Sequence, residues 1–211
     1  MVAAMVHGLI LSLGLIIPIG PQNIFILNQG AAHRGMRGAL PAVFAAAISD
    51  TLLILLAVFS VSVLVLAIPA LELGMYAIGF CFLLYIGYSI WKSSFSVRSG
   101  GASPLSARKQ IVFAISVSLI NPHAVIDTVG VIGTNSLHYH FFYEKAAFAV
   151  ACIGVSWISF IGLAWIGGWV LSVDGKGHLM KMINCGSAIM IWGVALFIGY
   201  QLIKRVIEIA L

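Results

Sequence analysis

The chain has 211 residues, of which 62% are hydrophobic and 8% charged, with a formal net charge of +5. A soluble domain of this size could not keep such a composition in water, so a soluble protein is excluded and lipid is the expected solvent. Nucleic-acid binding is excluded as well, because the basic residues stand as ones and twos between apolar runs, with no stripe and no interleaved aromatics.

Six apolar stretches are each long enough to cross a hydrocarbon core as a helix, which takes about twenty residues. They run from Met5 to Leu27, Ala39 to Ile68, Leu71 to Trp91, Gln110 to Gly133, Ala146 to Val173 and Met182 to Ile203. The apolar runs are too long and too uniform for alternating barrel strands. The first span has no basic stretch before it and no small-residue cleavage pattern after it, so it is expected to be retained. Cys81, Cys152 and Cys185 fall singly in different spans and read as small buried hydrophobes.

The connections after spans one, three and five carry Arg34 and Arg37, then Lys92, Arg98, Arg108 and Lys109, then Lys176 and Lys181. The positive-inside rule makes these three connections cytoplasmic and both termini external, as expected of a multi-pass membrane protein. The Ser/Gly/Pro-rich, basic segment 92–109 is the only linker-like stretch in a single membrane domain, 1–211. It separates residues 1–91 from 110–211, three spans each. An odd number of spans per copy makes the halves inverted repeats, in an all-α fold with helices one and four broken.

The breaks are Pro18-Ile19-Gly20-Pro21-Gln22-Asn23 in span one and Asn121-Pro122-His123 in span four. Pro18, Gly20, Pro21 and Pro122 interrupt the helical hydrogen bonds. The freed backbone groups must then face protein, water or a ligand. Two acidic residues lie well inside spans, Asp50 and Asp127, where a charge costs about 2.5–3.5 kcal/mol on insertion scales and is kept mainly for a cavity or a partner. Ala45-Ala46-Ala47 and Ser49 are small enough to admit another helix beside Asp50. His123, four residues before Asp127, is either its ion-pair partner or part of a proton relay.

Two carboxylates beside two open helix ends suit an amino acid with a cationic side chain. A half-helix N-terminus takes the α-carboxylate, Asp50 and Asp127 face the positive groups, and Gln22, Asn23 and Asn121 supply neutral hydrogen bonds. At these residues IPIGPQNIFILNQG, AISD and INPHAVIDTVGVIG resemble the LysE/ArgO family of bacterial amino-acid exporters. The GPQN core followed by NQG is similar to its arginine and lysine branch. The resemblance spans essentially the whole chain and implies efflux of L-arginine or L-lysine. The connection from Asn135 to Lys145, with His138, Tyr139 and His140, matches no motif of that family.

Carrying one positive charge out against about 150 mV requires a roughly 300-fold concentrative drive, so export must be coupled. Proton exchange is expected at Asp50, Asp127 and His123. The rival readings are a divalent metal exporter, an exporter of neutral amino acids and a membrane enzyme. The enzyme lacks a cysteine beside either break, a serine–histidine pair and a phosphate loop. No cofactor is expected. The expected partners are substrate, protons and lipid, and the many span glycines permit a homodimer.

Overall fold

The computed structural model describes residues 1–16, 20–33, 35–61, 69–96, 104–121, 124–125, 127–173 and 178–210. All regular structure among them is helical: α1 (Val2–Ile16), α2 (Pro21–Ala32), α3 (Met36–Leu56), α4 (Pro69–Ser96), α5 (Ala107–Ile120), α6 (Gly133–Ser136), α7 (Phe142–Val173) and α8 (His178–Ala210). Two π-helical turns, Ala57–Val61 and Asp127–Ile132, follow α3 and precede α6.

Span one, expected as one interrupted helix, is two helices whose axes meet at 76°. Pro21 opens α2 at a position where its missing N–H breaks no helical bond, and Gly20 precedes it in an extended conformation. At the other end of α2 the Gly35 amide reaches back to the Gly30 carbonyl at 3.0 Å. Gly35 itself holds φ at 149°, which side chains rarely adopt, and turns the chain into α3. Met36–Phe59 and Phe142–Val170 are each long and apolar enough to cross a bilayer, and α1 with α2 meets the same test jointly.

Span four also departs from a simple kink. α5 stops at Ile120 and Asn121 is extended; Ala124 and Val125 are helical again, and a π turn from Asp127 to Ile132 precedes α6. The carbonyls around this turn are met by nearby side chains: Thr134 donates to Gly130, and Asn135 Nδ2 donates to Val131 at 2.8 Å. Apolar surroundings demand such partners.

The helices pack through small residues. α7 lies against α1, α2 and α3, α5 lies against α3, and α8 lies against α4. A Cβ on Gly30 would strike the Ala164 carbonyl, and one on Gly167 would strike the Leu27 carbonyl, so α2 and α7 approach backbone to backbone. Ala42, Ala46 and Ala47 of α3 are fully buried in one core cluster with Ala114 of α5 and Phe160 and Ala164 of α7. A second cluster joins Ile24 and Val117 to α4 and α8, and a third joins the ends of α1, α3 and α7. Outward faces carry Ile10, Leu13, Phe44, Leu52, Ile158 and Trp165 in the open. This apolar exterior over a small-residue interior is stable only in lipid.

Candidate substrate site

At the broken end of α2 the first backbone N–H groups have no helical acceptor, and Gly20 supplies no side-chain cap. They form a positive dipole end suited to a carboxylate. Gln22, in this first turn, is buried and faces two other helices. Its Nε2 donates to Asp50 Oδ1 of α3 at 3.1 Å, and its Oε1 accepts from the Ser118 hydroxyl of α5 at 2.9 Å. The Ser156 hydroxyl of α7 lies beside the same carboxylate. One half-buried carboxylate is therefore held by Gln22 and set beside the Ser156 hydroxyl, with no cation of the chain among these neighbours. Neutral hydrogen bonds orient a carboxylate without cancelling its charge, which stays available to an incoming cation.

The alanines of the turn before Asp50 permit this convergence, because α5 and α7 both close on that stretch of α3. Flanking hydroxyls are tied to their own helices: Ser49 donates to Ala45 at 2.8 Å and Thr51 to Ala47 at 2.7 Å. Thr51 in turn accepts from the Trp157 indole at 3.1 Å, which fixes the next residue of α7 after Ser156.

The other expected residues divide into three groups. Asn23 is buried, and its Nδ2 reaches back across the break to the Ile16 carbonyl at 3.2 Å, giving the end of α1 a partner. Asn121 is buried at the extended end of α5, and its carbonyl accepts from the Val125 amide at 3.2 Å. Pro18, Pro122 and His123 lie outside the described residues, as does the side chain of Asp127. Gly20 and Pro21 stand at the start of α2.

Sequence reasoning missed Ser118 and Ser156. Ser118 carried a usable signal, since it sits three residues before Asn121 on the same helical face. Ser156 carried none locally, being one small residue in an apolar span. Among the described residues no three His, Cys, Asp or Glu gather into a metal-binding group.

Comparison with known proteins agrees with this geometry. The family model described as LysE type translocator matches residues 13–202. A Bacillus subtilis (strain 168) protein bearing the name "Putative amino-acid transporter YisU" is 47% identical over 94% of this chain and 90% of its own length. The arginine exporter protein ArgO of Klebsiella pneumoniae (strain 342) is 33% identical over 94% of this chain and 92% of its own. That of Serratia proteamaculans (strain 568) is 29% identical, with 95% and 98% covered. No solved structure matches the chain. A family match over most of the chain, around a carboxylate set among broken membrane helices, makes this protein a member of the LysE type translocator family.

Proposed function

We propose that this protein is a secondary active exporter of the cationic amino acids L-arginine and L-lysine across the bacterial inner membrane, driven by proton entry. The observation that carries the reading is the Asp50 carboxylate, held at the open end of α2 by Gln22, beside Ser156, rather than by a cation. The α-carboxylate of the substrate lies on the first N–H groups of α2, its positive groups face Asp50 and Asp127, and Gln22, Asn23 and Asn121 line the remainder. Proton release from Asp50 or Asp127 on substrate binding, with His123 as relay, couples the two fluxes. ArgO relatives at 29–33% identity support the substrate class.

Six spans arranged as inverted repeats form the frame of this mechanism. The packing supports it, for α1 lies on α7 as α5 lies on α3. These pairs exchange under a rotation that swaps the halves.

A second reading has its own support. The described part of the site presents one carboxylate, sufficient for the α-ammonium of a neutral amino acid, and the name of the B. subtilis relative leaves the substrate's charge open. Membrane vesicles loaded with labelled arginine, lysine and threonine separate the two. Acidifying the receiving side is expected to accelerate loss of arginine and lysine and leave threonine inside. Threonine loss with arginine retained would establish the neutral reading instead.

A further inference from the structure

Two side-chain clusters outside the site join the first half of the chain to the second. In one, His7 Nδ1 of α1 lies 2.7 Å from the Tyr139 hydroxyl, in the connection between α6 and α7. Both rings pack on Phe148, with centroids 5.4 and 5.5 Å away. In the other, Gln110 Nε2 at the start of α5 donates to the carbonyls of Gly38 and Leu105, each at 2.9 Å. It also lies 2.8 Å from His33 Nε2 at the end of α2.

The clusters occupy opposite ends of the assembly. Phe148 stands near the start of α7, and Gly168, which abuts Gly35 beside the second cluster, near its end. At 1.5 Å per residue these points are about 30 Å apart, and Ser156 beside Asp50 falls between them, about 12 Å from one and 18 Å from the other. Their sequence positions correspond as well. The interval from His33 to Tyr139 equals that from Asp50 to Ser156, and the interval from His7 to Gln110 is nearly the same. Both intervals, 106 and 103 residues, are close to the 101 between the breaks at Pro21 and Pro122, the offset that would pair His33 with Tyr139 and His7 with Gln110.

We propose that the His7–Tyr139 and His33–Gln110 clusters are paired gates of the transport path, equivalent under the inverted repeat, which open in alternation so that Asp50 meets one face at a time. The proposal rests on the transporter reading and its repeat, not on which amino acid is carried. Both contacts are made in this structure, and neither is a permanent seal. The outer one is a single hydrogen bond between side chains on an aromatic bed. Burial, then the charge of Glu144, raise the Tyr139 hydroxyl above its ordinary pKa, so it stays protonated beside His7 Nδ1. In the inner cluster Gln110 Oε1 is buried with no partner. Water admitted on opening would satisfy it, which offsets part of the bonds lost.

The test uses a full-length chain with Cys81, Cys152 and Cys185 replaced by alanine and Ser156→Cys as reporter, in vesicles of both orientations. A membrane-impermeant methanethiosulfonate is the probe. Tyr139→Phe is expected to raise labelling from the face of the α6–α7 connection between about two- and tenfold, the shift for one lost hydrogen bond, without change at the other face. Gln110→Met is expected to do the reverse. Equal increases at both faces, an increase at the wrong face, or no change in either variant overturns the proposal. Should Gln110→Met fail to assemble, His7→Cys with Tyr139→Cys, bridged by a bifunctional reagent, must abolish labelling from the outer face alone. Labelling reports access rather than transport, so sided labelling in the reporter together with no arginine export by the unsubstituted chain would sink the substrate reading and spare the gates.

Discussion

Replacing Asp50 by asparagine removes one charge and almost nothing else. Asparagine has the same shape, and its Oδ1 can still accept from Gln22 Nε2, 3.1 Å away in the native chain, beside Ser156. Assembly and insertion are therefore expected to survive. Binding of the cation is not, because the remaining partners of Asp50 are neutral and do not replace its charge. Truncating one member of a desolvated, hydrogen-bonded charge pair costs about 2–5 kcal/mol, which predicts that arginine export falls between about thirtyfold and several thousandfold. The assay is labelled arginine efflux from vesicles matched for protein content by blot, with Asp50→Glu as a charge-retaining control. Near-native export by Asp50→Asn would refute the reasoning, since it would show that the cation never depends on this carboxylate.

Four further outcomes follow from the same geometry. Asp127→Asn is expected to abolish export with insertion intact, measured in the same vesicles. Ser118→Ala leaves Gln22 Oε1 without its donor, and an unmet buried acceptor costs about 1–3 kcal/mol. In a double-mutant cycle with Gln22→Ala, thermal stability in detergent should show a coupling of about 0.5–3 kcal/mol, and strict additivity would count against that bond. Gly167→Ala drives a methyl into the Leu27 carbonyl and should destabilise by about 1–3 kcal/mol, whereas Gly154→Ala, with nothing near, should be neutral or slightly stabilising; differential scanning fluorimetry compares them. Collapsing the pH gradient with nigericin at constant potential is expected to end concentrative efflux. Undiminished efflux would identify another coupling ion.

Much of this protein was legible without coordinates, for reasons rooted in the bilayer. Composition alone set the solvent, and a lipid solvent leaves helices as the only structure compatible with uniformly apolar runs. Pro21 and Gly20 announced where α2 would begin, because proline removes a donor wherever it stands. Asp50 stood out because an ionised group in hydrocarbon is costly enough to demand a reason. Motif resemblance reached the family, which the match over residues 13–202 then established.

Tertiary structure decided which residues meet. Gln22, Asp50, Ser118 and Ser156 lie on four helices, and a local sequence pattern carries no term for side chains brought together from α2, α3, α5 and α7. The 76° angle between α1 and α2 and the π turns after α3 and before α6 were equally hidden. Helix breaks specify where the backbone frees its polar groups, but packing against α7, where Gly30 and Gly167 let backbones touch, sets where the chain goes next. Polarity along the chain thus determined the solvent, the helices and the charged residue, while close contact between distant segments determined the site built around it.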